Sequence, residues 1–239
     1  MPDQIGYVSS IQTAGTLEGP GVRFVVFLQG CPLRCIYCHN PETWEVKGGA
    51  LYTVDEIIKK LLRYKPYFGD KGGITLSGGE PLHQSDFSAS LLKKAREHGV
   101  NTAICTSGTA SLSDSKKVLE YTDLVITDLK FTNKEDYSKY CKGDYDTVIN
   151  FLKLTEQMQI PLWIRQVIIP GINDTEKSVT ELCNIAKQFK NLELLDLLPF
   201  RKLCIEKYDN MNIPFQLKDT PETKSETIQK LKCIVKSKL

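Results

Sequence analysis

Val22-Arg23-Phe24-Val25-Val26-Phe27-Leu28-Gln29 is a β-branched and aromatic run, apolar on both of its alternating faces apart from Arg23. A strand of this kind is buried on both sides, which requires helices to cover it. The covering helix follows in the sequence. Val54, Ile57, Ile58, Leu61 and Leu62 fall at i, i+3, i+4, i+7 and i+8, and Thr53 and Glu56 are spaced as a capping box. The same alternation continues to the end of the chain. Strands are expected at 73–77 (GITLS), 101–106 (NTAICT), 124–130 (LVITDLK), 160–168 (IPLWIRQVI) and 192–198 (LELLDLL), six with the first. Helical periods occupy about 86–98, 114–121, 146–158 and 175–189, and Ile228, Leu231, Val235 and Leu239 mark a closing helix. Six βα units are two short of a full eight-fold barrel, which leaves an open doubly wound sheet or a partial barrel. Both architectures place their active sites at the C-terminal ends of the strands. No internal repeat, low-complexity stretch or linker interrupts the chain, so 1–239 reads as a single α/β domain, with 201–221, which holds Pro214 and Pro221, as an irregular loop.

Composition removes several classes of function. A chain of 239 residues buries about 70–75% of its unfolded surface and needs no disulfide or metal simply to fold. The 31 Lys and Arg against 29 Asp and Glu give a net charge of +2, too little to attract nucleic acid or an acidic membrane. Charged residues at 25% and aromatics at 9% argue against disorder. The start, MPDQIGYVSS, carries no basic-then-apolar targeting signal, and no apolar run approaches the roughly 20 residues that span a bilayer. The chain therefore reads as soluble and cytoplasmic. In that reducing setting its 8 cysteines do not form a disulfide framework, and a cluster of them points to metal or catalytic use.

Three of them do cluster. Gly30-Cys31-Pro32-Leu33-Arg34-Cys35-Ile36-Tyr37-Cys38-His39-Asn40 is a C-x3-C-x2-C loop at the end of the first strand. Zinc asks for four protein ligands, and His39 is poorly placed to complete a tetrahedron that already includes its neighbour Cys38. A [4Fe–4S] cluster held by three thiolates leaves one iron open to a substrate, and zinc or a structural thiol group is the bland alternative. At the end of the second strand, Ser77-Gly78-Gly79-Glu80-Pro81 offers free backbone groups at close approach and a carboxylate that accepts from an ammonium or hydroxyl, although a Gly-Gly pair leaving a strand is most often only a turn. At the end of the fourth strand, alternation sets Asp128 and Lys130 on one face, and Arg165 interrupts the apolar strand 160–168. Charges inside a barrel must pair with each other, with neighbours or with a ligand, so a structural ion pair and a binding wall both remain open. With only His39, His83 and His98, and with neither GxSxG nor HExxH, the chain does not point to a histidine-centred triad. Cys105, Cys141, Cys183, Cys204 and Cys233 lack ligand spacing, and Cys183 lies on the apolar side of its helix.

C-x3-C-x2-C with an aromatic before the last cysteine, then SGGEP one βα unit later, resembles the radical S-adenosylmethionine superfamily. More narrowly, GTLEGPGVRF (15–24), QGCPLRCIYCHNPETW (29–44), SGGEP (77–81), TDLVITDLK (122–130), WIRQVIIPGIND (163–174) and LLPF (197–200) resemble the pyruvate formate-lyase-activating family of glycyl-radical-enzyme activases. The resemblance runs from about residue 9 to 204, and the 41 residues between Cys38 and Glu80 leave no room for the ferredoxin-like insert of other activases. It implies a partial (β/α)6 barrel of the TIM type, open at one side. It implies a [4Fe–4S] cluster on Cys31, Cys35 and Cys38 whose open iron takes S-adenosylmethionine. One electron from flavodoxin or ferredoxin then yields methionine and 5′-deoxyadenosine, and a glycyl radical on the partner enzyme, under anaerobic conditions. Tyr37, Cys38 and His39 are implied to lie against S-adenosylmethionine, with the adenine near Tyr37. Gly79 is implied at the methionine amino group, and Asp128, Leu129, Lys130 and Arg165 in the strand-end wall, Lys130 and Arg165 serving catalysis. The protein is expected to be a monomer whose main partner is another protein.

Three departures from the family pattern stand out. The family's LPYH is Leu198-Pro199-Phe200-Arg201 here, which moves an expected cofactor contact onto Arg201. An Asp common at the end of the third strand is Cys105, and the Asp before the early Gly-Pro-Gly is Glu18. Activation of a different glycyl radical enzyme, modification of a small molecule, or a non-catalytic iron–sulfur electron carrier are the alternatives; a carrier would close its cluster with four cysteines and has no use for SGGEP.

Overall fold

A computed structural model describes residues 4–239, so Met1–Asp3, where the targeting-signal reading begins, lie outside the described residues. The chain opens with β1 (Ile5–Gly15), β2 (Arg23–Leu28) and β3 (Ala50–Thr53), followed by α1 (Val54–Tyr64), β4 (Gly73–Gly78), α2 (Ser85–Glu97) and β5 (Asn101–Thr106). Next come α3 (Leu112–Leu119), β6 (Leu124–Asp128), α4 (Lys134–Cys141), α5 (Tyr145–Gln157) and β7 (Leu162–Ile168). The last elements are α6 (Glu176–Ala186), β8 (Leu192–Pro199), α7 (Ile205–Asn210) and α8 (Ser225–Lys238). One eight-stranded sheet runs in the order β3-β1-β2-β4-β5-β6-β7-β8 and does not close.

The six strands from β2 to β8, with β3 left out, are the expected parallel set. They form the open partial barrel, and the doubly wound alternative falls away. β1 and β3 extend it antiparallel at one edge. Neither was expected, because β1 intersperses Ser9, Ser10, Gln12 and Thr13 and β3 is short and half exposed. The capping box of α1 forms as spaced: Thr53 Oγ1 accepts from Glu56 N at 3.2 Å and Glu56 Oε2 from Thr53 N at 2.8 Å. Residues 201–221 are not all loop, since α7 lies within them.

Two apolar clusters divide the interior. The larger lies between the sheet and its helices and includes Cys183 and Cys141, both fully buried. The smaller consists of Ala103, Cys105, Leu124 and Ile126, with Trp163 packed on it, and occupies the inner face of the barrel. The segment between β1 and β2 closes that inner face: Thr75 Oγ1 donates to Glu18 O at 2.8 Å, and Gly19 passes beside Ile126. Above this plug, at the C-terminal ends of the strands, the barrel is hollow.

Candidate active site

Leaving β2, the chain turns into the cysteine loop, and its neighbours hold that loop through backbone bonds. Gly30 N donates to Thr43 O at 2.9 Å, Cys31 N to Trp44 O at 3.2 Å and Cys38 N to Cys35 O at 3.0 Å. Arg34 fastens the loop from within, donating to the carbonyls of Cys31 and Leu33 at 2.7 and 2.8 Å and lying 4.9 Å from the Trp44 ring centre. From outside, Tyr208 of α7 donates to Cys38 O at 3.2 Å, and Lys207 donates to Asn40 Oδ1 at 2.8 Å while pairing with Glu42. Burial, aided by the Glu80 carboxylate, pushes the Cys31 thiol up to about 12; burial and the neighbouring Cys35 push Cys38 up to about 11. Both therefore carry protons that a metal centre must displace.

The Ser77-Gly78-Gly79 turn packs directly on this loop. Gly79 N donates to Leu28 O at 2.8 Å and Glu80 N to Gly30 O at 2.7 Å. A Cβ on Gly79 would stand 2.5 Å from Gly30 O, and Gly78 has φ +102°, so the two glycines are required by contact and conformation. Glu80 does not face the cavity as a free acceptor. Its carboxylate takes hydrogen bonds from Leu82 N, Thr106 Oγ1, Ser107 N and Ser107 Oγ, and locks this turn to the end of β5.

Register builds the opposite wall. Asp128 of β6 stands beside Arg165 of β7, and Arg165 beside Asp196 of β8. β6 stops at Asp128, yet Lys130 reaches back to it: Asp128 accepts from Lys130 Nζ at 3.0 Å through one oxygen and from Arg165 Nε at 3.0 Å through the other. Burial works against ionisation of this carboxyl, but the two cations outweigh it and hold it at about 2. Arg165 also reaches Leu17 O at 3.2 Å and Glu18 Oε2 at 3.4 Å. Cys105, whose thiol is pushed well up by burial and by Glu18, donates to Glu18 Oε2 at 2.9 Å.

These elements surround one cavity of about 530 Å³, within the range of small-ligand sites. Cys31, Cys35, Cys38, Tyr37, His39, Gly79, Asp128, Lys130 and Arg165 all line it. Tyr37 is buried with its ring edge-on to Phe131 at 6.3 Å, and burial lowers His39. Leu129 and Arg201 stand apart from the lining. Leu129 is fully buried, with its carbonyl bonded to Gln166 Nε2 at 3.0 Å, and the Arg201 guanidinium is turned to Thr223 O at 2.8 Å and Glu222 at 3.5 Å. Lys207, Tyr208 and the end of α4, which support the cysteine loop, escaped the reading of the sequence. Asn133, three residues before Asp136, was the available signal for α4: its side chain caps that helix.

The donor set fits an iron–sulfur cluster. Three thiols line one side of the cavity, and two buried polar atoms beside them, Tyr37 Oη and Trp44 Nε1, make no hydrogen bond to the described residues. An indole N–H can only donate, and the sulfur beside it is that of Cys38. An orphan donor among thiols suits a group that carries acceptor sulfurs of its own. Among the described residues, no helix is long and apolar enough to cross a membrane.

Comparison with known proteins gives the kinship of the chain. Residues 17–150, more than half the chain, match the family described as a 4Fe-4S single cluster domain. A pyruvate formate-lyase-activating enzyme of Clostridium pasteurianum is 41% identical over 98% of this chain and 99% of its own length. One of Staphylococcus epidermidis is 35% identical over 94% and 92%. Among solved structures, a domain of a pyruvate-formate lyase-activating enzyme from Bacteroides vulgatus superposes with a TM-score of 0.58 at 22% identity, covering 70% of this chain and 94% of that one. Streptococcus suis SuiB bound to S-adenosylmethionine gives 0.64 at 16% identity, covering 87% and 44%. At these identities the superpositions speak for the fold, and the near full-length sequence relatives speak for the kinship: the chain belongs to the pyruvate formate-lyase-activating enzyme family of radical S-adenosylmethionine enzymes.

Proposed function

We propose that this enzyme generates a glycyl radical on pyruvate formate-lyase under anaerobic conditions, using S-adenosylmethionine and one electron from reduced flavodoxin or ferredoxin and releasing methionine and 5′-deoxyadenosine. The observation that supports the reading most strongly is the meeting of the cysteine loop, the Gly78-Gly79 turn and the Asp128, Lys130 and Arg165 wall around a single cavity. Cys31, Cys35 and Cys38 would hold a [4Fe–4S] cluster through their thiolates. When bound, that cluster would supply the single electron for cleavage of the sulfonium.

The remaining work falls to the chain's own groups. Gly79 presents backbone to the methionine amino group where no side chain fits. Tyr37 and His39 line the adenosine side; lowered by burial, His39 is neutral at physiological pH and accepts or donates without adding charge. Asp128 stays ionised and holds Lys130 and Arg165 in place, so the wall meets the cofactor as a fixed set of charges that needs no reorganisation. Arg201 would have to release Thr223 O to meet the cofactor. The buried floor excludes water from a reactive intermediate.

Anaerobic reconstitution tests the proposal. The protein should turn brown, release 5′-deoxyadenosine when given dithionite and S-adenosylmethionine, and produce the glycyl electron paramagnetic resonance signal on added pyruvate formate-lyase. Cys35→Ala should abolish the release. A colourless protein with stoichiometric zinc would sink the reading.

A further inference from the structure

Lys130 lies two residues beyond the end of β6, where the sheet no longer places it: the register of β6 with β7 ends at Asp128 and Arg165. Two buried side chains take over. Gln166 Nε2 donates to Leu129 O at 3.0 Å and to Lys130 O at 3.5 Å, and Lys130 N donates to Tyr137 Oη at 3.3 Å. Gln166 follows Arg165 on β7, and alternation sends the two to opposite faces of the sheet. Arg165 lines the cavity and grips the Asp128 carboxylate. Gln166, 2% exposed, sits behind it and grips the main chain that follows Asp128. Tyr137 of α4, fully buried, holds the same main chain from another side. The Gln166 amide oxygen makes no hydrogen bond to the described residues, so this side chain is anchored by what it donates. A lysine carries its charge on a flexible four-carbon stem, and where the ammonium points depends on where the main chain starts. With that start fixed, Lys130 Nζ folds back to Asp128 Oδ2 at 3.0 Å and stays on the cavity wall.

We propose that Gln166 and Tyr137 are positioning residues for the reaction: by fixing the main chain at Leu129 and Lys130 they set where the Lys130 ammonium faces bound S-adenosylmethionine. The inference rests on the reading that gives Lys130 a place in the cofactor wall. Neither residue brings a charge of its own to the site. The amide suits the task. A carboxylate in its place would face two carbonyl oxygens with no hydrogen to give, and an aliphatic chain would leave both carbonyls without their donor.

The test is a double-mutant cycle on S-adenosylmethionine affinity, measured by equilibrium dialysis with the reconstituted protein. Lys130→Met should weaken binding about tenfold, and Gln166→Met, close in size to the parent residue, should weaken it by a similar factor. Because Gln166 acts through Lys130, the double variant should bind no more weakly than Lys130→Met alone. A purely structural role would make the two losses multiply. Tyr137→Phe keeps the ring, removes only the acceptor, and should weaken binding a few-fold in the parent but not in Lys130→Met. Should Gln166→Met fail to fold, the cycle of Tyr137→Phe with Lys130→Met decides in its place. Multiplying losses, or an unchanged affinity in Gln166→Met, would overturn this inference alone. So would a lower iron content in Gln166→Met, which would place its effect on the cysteine loop. An unchanged affinity in Lys130→Met would overturn it together with the reading it rests on.

Discussion

Asp128 shows how a single side chain decides the state of its neighbours. Among the described residues it is the only carboxylate bonded to both Lys130 and Arg165, and the side chains of those cations are 16% and 12% exposed. Replacing it by Asn keeps the shape and leaves two like charges facing each other. Asp128→Asn should lower stability by about 2 kcal/mol at neutral pH, the worth of hydrogen bonds to a charged group, as read from denaturant midpoints. The pH dependence has a definite sign. The folded carboxyl sits at about 2, against roughly 3.9 unfolded. Its contribution is therefore complete above the unfolded value and is lost as pH falls through the folded one. The gap between parent and Asp128→Asn should hold constant from pH 8 to pH 5 and shrink below about pH 4; a gap that widened on acidification would contradict the ion-pair account. Gly79→Ala belongs to the same scale. Its methyl would press on Gly30 O, which is backbone and cannot swing aside. We expect loss of S-adenosylmethionine binding in equilibrium dialysis, with the cysteine loop next to Gly30 disturbed as well.

At the scale of elements, the chain's legibility follows burial and length. β2, β4, β5 and β6 are buried on both faces and read as nearly unbroken apolar runs, and α1 shows its amphipathic period and both halves of its cap. β1 lies between the short edge strand β3 and β2 with one face largely exposed, and its serines and threonine mask the alternation. α4 buries only Tyr137 and Cys141 from eight residues, and α7 buries only Tyr208 from six, too few to set a period. The cysteine loop and the glycine turn were legible because their chemistry is rare; the elements that brace them were not, because bracing uses ordinary residues. α7 is the clearest case. Tyr208 reaches the carbonyl of Cys38, and its ring meets Trp44 edge-on at 6.2 Å. Tyr208→Phe keeps the ring and deletes the hydroxyl. It should cost about 1 kcal/mol in overall stability, and iron should leave the reconstituted protein several-fold faster in the presence of a chelator. Equal rates for parent and variant would show that α7 does not secure the loop.

Across the whole molecule, the barrel is tied together at its base by a charge. Arg23 is fully buried and bonds Thr75 Oγ1 at 2.9 Å, Ile74 O at 2.6 Å, Lys71 O at 3.2 Å and Asn101 Oδ1 at 2.8 Å, so one guanidinium of β2 joins β4, the turn before it and β5. This explains the charge that interrupts the first apolar run. It meets carbonyls and amides that strand pairing leaves over, and a methionine of similar volume could satisfy none of them. Each buried acceptor left without a donor costs about 1–3 kcal/mol, so Arg23→Met should destabilise the protein by at least about 3 kcal/mol. The way the loss is distributed tests the single-domain expectation. The main core cluster runs from Val8 to Val235, and the sheet is continuous from β3 to β8. The two tryptophans report from different places: Trp44 beside the cysteine loop, Trp163 on β7 against the inner cluster. If the chain is one cooperative unit, far-ultraviolet circular dichroism and the fluorescence of each tryptophan, isolated by Trp→Phe replacement of the other, should give superimposable unfolding curves. Arg23→Met should shift all of them by the same amount. A variant in which the Trp163 signal moves while the Trp44 signal stays would divide the molecule at the sheet and refute the single domain.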